Sequence, residues 1–380
     1  MDSIKNIRCT IMRGGTSKGI FIMENDLPKD KAERDKIICQ LFGSPDVRQI
    51  NGLGGADPLT SKLAIIGPPS RPDADIDYTF GQVSINALHV DYRGNCGNIS
   101  SAVGPFAIDN GLVKSKETMT TVRIHNTNTH KMIVADIPMA NGKAAVIGDC
   151  VCPGVPGTGA KIMLDYSDTA GAFSGKILPT GNPVDILEVP GIGPLTMSLV
   201  DVANPMVFIR AKDINLTGIE TPQEVGNNAE LSNMLEKIRG VAAVKFGLAE
   251  KLEDVLTQSP ARPIISFVNT PSDYKEFNTG NLVKADDVDL VSRIMFMQVM
   301  HKTYSGTAAI CTAVAATIPG TVVHGVVENA RGKSEIRIGH PSGVIDVEVA
   351  SEIESGQVIL KRAAISRTAR RLMDGYAYLL

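Results

Sequence analysis

Tyr92-Arg-Gly-Asn-Cys-Gly-Asn-Ile-Ser-Ser-Ala-Val-Gly-Pro-Phe-Ala-Ile-Asp109 is the stretch from which the fold is read. A strand-like run over 83–92 enters a turn of Gly and Asn, and the turn opens an apolar helix of small residues. Cys96 therefore stands at a helix mouth. The unpaired backbone N–H groups of a first helical turn hold a carboxylate, and the same field favours thiolate over thiol. The grammar recurs further along. The segments 195–201 and 206–209, joined by Val202-Ala-Asn-Pro205, read as a hairpin, as do 4–12 and 20–23 joined by Arg13-Gly-Gly-Thr-Ser-Lys-Gly19. An amphipathic helix over 228–238 answers one over 30–42. An apolar segment, 289–300, then enters His301-Lys-Thr-Tyr-Ser-Gly-Thr307 and an Ala-rich helix. Laid together, Ser305-Gly306-Thr307 falls on Cys96-Gly97-Asn98, and Ser342-Gly343 on the polar turn at 126–129. Such internal repetition outweighs any single motif. It predicts two similar domains, 1–186 and 187–367, each presenting a helix mouth to one cleft, with 368–380 a strand returning to the first.

Bulk composition narrows the function classes. A chain of 380 residues is long enough for two cores. With 43% hydrophobic and 21% charged residues it reads as a soluble globular protein. A net charge of -3 offers no general attraction to nucleic acid or anionic membrane, so an anionic ligand must be held by local geometry. No tryptophan and 4% aromatic residues argue against a stacking platform for single-stranded nucleic acid. No run approaches the roughly 20 apolar residues of a membrane span. The six cysteines form no dense framework and Met1-Asp-Ser-Ile-Lys5 reads as no cleavable leader, so a reducing cytoplasm is expected. Cys150-Val-Cys152 is too closely spaced for the usual paired-cysteine zinc site, and no metal is expected.

Three stretches carry chemistry. The tip Arg13-Gly-Gly-Thr-Ser-Lys-Gly19 collects two hydroxyls and two cations among glycines, which suits an oxyanion, although a glycine hairpin with solvated charges looks the same. It lacks the P-loop pattern. Ile50-Asn-Gly-Leu-Gly-Gly-Ala-Asp-Pro-Leu-Thr-Ser-Lys62 puts a lysine immediately before the apolar Leu63-Ala-Ile-Ile66, an unusual place for a surface lysine. Cys96 at its helix mouth could serve as nucleophile, redox thiol or proton carrier. A hydrolytic nucleophile wants an oriented histidine, for which only His301 offers itself, and no G-x-S-x-G or papain-like signature supports one. A Cys-x-x-Cys resolving partner is absent. Proton transfer needs only a polarised thiol, a second ionisable group and N–H donors for the developing charge.

The segments MRGGTSKG (12–19), GGADPLTSK (54–62) and YRGNCGN (92–98), in this order, resemble the isomerases related to diaminopimelate epimerase, and most of all the branch of 2-methylaconitate cis-trans isomerase. The resemblance spans essentially the whole chain. It implies an α+β fold of two pseudo-symmetric domains, each a mostly antiparallel sheet wrapped around a central helix. Racemases of this superfamily use one cysteine from each domain. Here Ser305 stands at the second position and Cys311 lies further down the helix, which points away from two-thiol racemisation and towards a one-thiol isomerase with Lys62 as the second group.

What the resemblance implies is proton transfer in a small unsaturated di- or tricarboxylate, without cofactor. The favoured reaction is (R)-3-methylitaconate to 2,3-dimethylmaleate; the alternatives are cis-trans isomerisation of 2-methylaconitate and tautomerisation of 4-oxalomesaconate, or, outside enzymes, carboxylate binding alone. Lys62 and Cys96 are expected to carry the proton. Thr16, Ser17 and Lys18 are expected to hold one carboxylate, and Gly97, Asn98, Ser305, Gly306 and Thr307 the other. His301 is expected as a polar wall or proton partner, and Arg93 as a brace or substrate contact. A homo-oligomer, dimer or tetramer, is expected.

Overall fold

The computed structural model describes residues 5–92, 94–330, 332–354 and 357–379; Arg93 lies outside the described residues. The chain divides into two units, Met1–Asp165 with Ser366–Leu380, and Tyr166–Ile365. The division falls earlier than residue 186, and the reason lies in the intervening segment. The Asp201 carboxylate accepts the backbone N–H groups of Phe173 (2.9 Å) and Ser174 (2.6 Å), and Asp185–Val189 pairs with Gly193–Val202. Both ties hold 166–186 to the second unit.

Unit 1 begins with the hairpin of β1 (Lys5–Gly14) and β2 (Ser17–Met23). Its tip is Gly15 and Thr16 alone. Ser17 and Lys18, read above as part of a longer turn, are already rungs of β2 opposite Gly14 and Arg13. Helix α1 (Lys31–Phe42) is opened by the Asp30 carboxylate on the Glu33 N–H at 2.9 Å and closed by Gly43 at φ 80°. Next come β3 (Lys62–Gly67) parallel to β2, β4 (Ile76–Val83) antiparallel to β3, and the short β5 (Val90–Asp91) beside β4. Strand geometry stops at Val83 instead of running to residue 92, because the Ser84 N–H donates to the His89 carbonyl (2.9 Å) and the chain reverses there. After α2 (Gly97–Asp109), β6 (Met119–Asn126) lies parallel to β4, and β7 (Lys131–Ala140) antiparallel to β6. The strand Ala369–Leu379 joins antiparallel to β1.

The small residues of α2 decide this architecture. Every residue from 99 to 108 is buried, and the helix packs against β1, β2, β3, β6, β7 and the strand Ala369–Leu379. A helix that is apolar all round belongs inside. Ser, Ala and Gly at its surface let strands approach on every side, and a Cβ at Gly104 would strike the Ile137 side chain.

Unit 2 repeats the order. β8 (Asp185–Val189) flanks the hairpin of β9 (Gly193–Val202) and β10 (Asn204–Arg210). After α3 (Ala229–Phe246), β11 (Ile264–Asn269) runs parallel to β10 and β12 (Leu290–Phe296) antiparallel to β11. Then follow α4 (Gly306–Thr317), β13 (Glu335–His340) parallel to β12, β14 (Gly343–Glu354) antiparallel to β13, and β15 (Gln357–Arg367) against β14. Helix α4 is buried from 308 to 316. From hairpin to final pair, the succession of antiparallel and parallel neighbours is that of unit 1. One clasp recurs to the ångström: the Asp75 carboxylate accepts the Arg123 N–H at 2.7 Å in unit 1, and Asp289 accepts the Arg337 N–H at 2.7 Å in unit 2. Among the described residues, no helix is long and apolar enough to cross a membrane.

Candidate active site

The hairpin tip of unit 1 sits on the mouth of α2, and its glycines make the approach possible. A Cβ at Gly14 would overlap the Asn98 carbonyl oxygen, and one at Gly15 the Asn98 side chain. With both absent, the Asn98 amide donates to Thr16 Oγ1 (2.9 Å) and accepts from Arg367 Nε (3.2 Å). Thr16 and Asn98 are thus brought together with their side chains turned to each other. Arg13 braces the same tip: its Nη1 donates to Gly15 O (3.1 Å), Thr368 O (2.7 Å) and Thr368 Oγ1 (3.0 Å). Burial lowers the proton affinity of its guanidinium below the ordinary arginine value. Ser17 Oγ is buried and has no hydrogen-bond partner among the described residues. A hydroxyl left so costs about 1–3 kcal/mol unless a ligand completes it. Lys18 is half-buried and makes no ion pair among the described residues.

Lys62 opens β3 and is 8% exposed. Its Nζ donates to Gln82 Oε1 at 2.9 Å and lies 5.3 Å from the centre of the Phe80 ring. Among the described residues no carboxylate pairs with it. A buried ammonium without a counter-charge is costly, and a bound carboxylate or a developing enolate would relieve that. The loop before it is pinned by the buried Gln49, whose Oε1 accepts from Ser61 Oγ (2.7 Å) and the Ala56 N–H (2.8 Å). Gly19 joins this corner to the helix mouth. It is the register partner of Lys62 across β2 and β3, and a Cβ there would stand 2.9 Å from both Lys62 O and Ile99 Cδ1.

Cys96 is the N-cap of α2, half-buried, at φ −118° and ψ 102°, and its side chain caps nothing. The turn leading to it is held by residues that the sequence reading did not single out. Asn128 Nδ2 donates to Phe80 O (2.9 Å) and Tyr92 O (2.7 Å), while its Oδ1 accepts the Phe80 N–H (2.7 Å). Asn126, fully buried, reaches Asn95 Oδ1 at 3.4 Å, which also accepts from Ser100 Oγ at 3.2 Å. The signal was present in His125-Asn-Thr-Asn-Thr-His130, a tetrad of amide and hydroxyl side chains between two buried strands.

In unit 2, Ser305 is the N-cap of α4 and its Oγ accepts the Ala308 N–H at 3.2 Å. Thr307 Oγ1 accepts from Asn204 Nδ2 at 2.9 Å, the counterpart of the Asn98–Thr16 tie with the two residue types exchanged between helix and hairpin. Gly306 begins the helix, buried. His301 Nδ1 accepts the Thr303 N–H at 3.1 Å, which leaves the ring proton on Nε2, and burial holds its pKa below the ordinary imidazole value. Cys311 is fully buried, its Sγ 3.5 Å from Val200 O, and burial pushes the thiol well above its usual range. It is a packing residue.

Residues 4–380 match the family model described as PrpF protein. The chain is 57% identical over 378 residues to the 3-methylitaconate isomerase of Eubacterium barkeri, covering 100% of this chain and 98% of that one. It is 38% identical over 383 residues to the 2-methyl-aconitate isomerase of Shewanella oneidensis, covering 97% and 96%. A crystal structure of a methylitaconate-delta-isomerase superposes with TM-score 0.92 at 57% identity, over 100% of this chain and 96% of the other. A hydroxyproline epimerase from Agrobacterium vitis aligns with TM-score 0.51 at 12% identity, over 98% and 91%, a likeness of fold alone. The fold is the α+β, diaminopimelate epimerase-like one.

Proposed function

This chain belongs to the PrpF protein family, and from that premise we propose that it is an isomerase that moves a carbon–carbon double bond in a small unsaturated dicarboxylate, converting (R)-3-methylitaconate to 2,3-dimethylmaleate without a cofactor. The observation that carries the reading is Lys62, a buried amine partnered by a neutral amide and an aromatic ring and by no carboxylate among the described residues. Such a group has an unmet demand for negative charge, and this reaction supplies it twice, in the substrate carboxylate and in the intermediate.

Lys62 and Cys96 are the two proton carriers. One removes the proton from the methyl-bearing carbon alpha to a carboxylate; the electron pair spreads through the conjugated double bond as a dienolate. The other delivers a proton to the terminal methylene carbon, which becomes a methyl group as the double bond moves inward. Atoms and charge balance with no redox step. Ser17 Oγ holds one carboxylate, with Thr16 and Asn98 positioning that tip, and the Gly97 and Asn98 N–H groups face developing charge; Lys18, the next rung of β2, belongs to the opposite face of the strand and is not assigned to that carboxylate. On the chemistry of their own helix mouth, Gly306 and Thr307 are proposed as further carboxylate donors, Ser305 as the residue that shapes that mouth, and His301 as a neutral polar wall.

A tricarboxylate such as 2-methylaconitate asks for one more cationic contact. Arg13 is engaged with Gly15 O, Thr368 O and Thr368 Oγ1, and this favours the dicarboxylate. The test is a proton NMR time course in deuterated water with 3-methylitaconate, 2-methylaconitate and 4-oxalomesaconate offered separately. Deuterium is expected in a new methyl group of 2,3-dimethylmaleate; turnover of only one of the other two acids would displace this substrate. A cytoplasmic location and a homo-oligomeric state, dimer or tetramer, complete the proposal, and light scattering after gel filtration tests the latter.

A further inference from the structure

We propose that Gln82 is the positioning residue for Lys62, presenting a fixed neutral oxygen that aims the amine without placing a charge beside it; this rests on reading Lys62 as a proton carrier. Gln82 Oε1 accepts from Lys62 Nζ at 2.9 Å, while Gln82 Nε2 donates to Pro58 O (3.1 Å) and Ser61 O (3.0 Å). Those two carbonyls determine which way round the amide sits. Turned over, it would set oxygen against two carbonyl oxygens and an NH2 group against an ammonium. The loop that ends in Lys62 therefore orients Gln82, and Gln82 orients Lys62.

The register explains why neutrality matters. Lys62 is opposite Gln82 in the β3–β4 pair, and Gln82 is opposite Asp91 in the β4–β5 pair, so all three side chains share one face of the sheet. Gln82 stands between the amine and that carboxylate. Among the described residues, the adjoining segments carry Lys18 on β2, one residue before Gly19 and so on the other face of the strand; Asp57 in the preceding loop, whose carboxylate is engaged by the Leu59 N–H (2.7 Å); and Cys96 at the mouth of α2, the helix that packs against β3. A carboxylate at position 82 would favour the ammonium form and hold it in an ion pair, removing a group that must alternate between two protonation states. Nor does the fold demand an amide here. In unit 2, β11 begins on Ile264, paired with Met206 as Lys62 is with Gly19, and the neighbouring end of β12 is Met295 and Phe296.

The test uses the full chain with Gln82→Glu and Gln82→Met, carrying lysine labelled with carbon-13 at Cε. The Lys62 signal, identified by its loss in Lys62→Ala, is titrated by NMR, and kcat and KM are measured against pH with 3-methylitaconate. In Gln82→Glu the Lys62 midpoint is expected to rise by about one pH unit or more, and the limb of the kcat–pH profile that belongs to Lys62 to move with it. In Gln82→Met, kcat is expected to fall about tenfold to a hundredfold with KM within about threefold and no alkaline displacement. A Gln82→Glu protein with the parent midpoint, or a Gln82→Met protein with the parent kcat, would overturn the proposal; if the glutamate variant does not fold, the methionine variant decides. Normal turnover by Lys62→Ala would instead sink the reading on which this rests, whereas an inactive Lys62→Ala beside unchanged Gln82 variants would remove Gln82 alone.

Discussion

At the mouth of α4, Ser305 accepts the Ala308 N–H at 3.2 Å; at the mouth of α2, Cys96 occupies the same place in the repeat and caps nothing. A few residues away the contrast continues. β3 opens on a buried lysine and β11 on a buried isoleucine. Yet the ties that brace the two mouths are alike. An asparagine–threonine pair joins hairpin to helix in each unit, at 2.9 Å in both. A side chain from the following turn secures the approach to the helix, Asn128 on Tyr92 O (2.7 Å) and Ser342 on Lys302 O (2.6 Å). The difference teaches that the scaffold is duplicated and the chemistry is not. Unit 2 closes its helix mouth as an ordinary serine cap, whereas unit 1 has there a thiol that caps nothing and, nearby, a buried amine held by a neutral amide.

The largest expected effect tests that asymmetry directly. Lys62→Ala and Cys96→Ala should each lower kcat by about 10²–10⁴-fold with an unchanged circular dichroism melt; normal turnover in either variant would break the contrast. Next comes Gly15→Ala. Its φ is +50°, but Ala203 at the unit 2 tip carries a Cβ at +59°, so the conformation alone is not prohibitive. The collision with Asn98 is, and the variant should lose about 1–3 kcal/mol in a urea titration. Exchanging the mouths gives a smaller and two-signed result. Cys96→Ser should add about 0.5–1 kcal/mol of stability as a new cap while turnover collapses, and Ser305→Ala should lose about 1 kcal/mol. A protein that only bound carboxylates would keep its affinity after Cys96→Ser, and equilibrium titration with 2,3-dimethylmaleate would reveal it.

The smallest effect is on pH dependence. Burial alone would push the Asp289 carboxyl up, but bonds from Arg337 and Lys333 outweigh it and hold the group below the usual carboxylate range. Its stabilisation is therefore full above the unfolded value of about 4 and lost as pH falls through the lower folded value. His301 acts in the same direction earlier. Its pKa is depressed by burial, so the unfolded chain binds a proton first, and stability begins to fall below about 6.5. Urea midpoints between pH 7 and pH 3 should decline in these two steps, and Asp289→Asn should flatten the lower one.

Much of this was legible in the chain. The glycines of 12–19, the placement of Lys62 before an apolar strand and the echo of Cys96 at Ser305 are local signals that survive without tertiary contacts. What escaped depends on register. Gln82 faces Lys62 through the register of β3 and β4, and Asp91 only because the chain reverses through residues 84–89, whereas an unbroken strand from 83 to 92 would have carried Asp91 away. Ser305 was legible as a hydroxyl at a helix mouth, but not that its own first-turn neighbour Ala308 would claim the oxygen. The boundary between the units falls at Asp165 and not at 186 because Asp201 reaches back to Phe173 and Ser174, a long-range tie with no local mark.

The pairing of β1 with the strand Ala369–Leu379 has a consequence for biosynthesis. Thr10 and Asp374 share a hydrogen bond across 364 residues of chain. On the ribosome, β1 emerges early and must wait while the whole of unit 2, contiguous in sequence, is made and becomes free to fold. The usual order of completion, first domain first, is thereby reversed, and the waiting edge of β1 is a template for wrong partners. Its Arg8 and Arg13 are the kind of charge that discourages them.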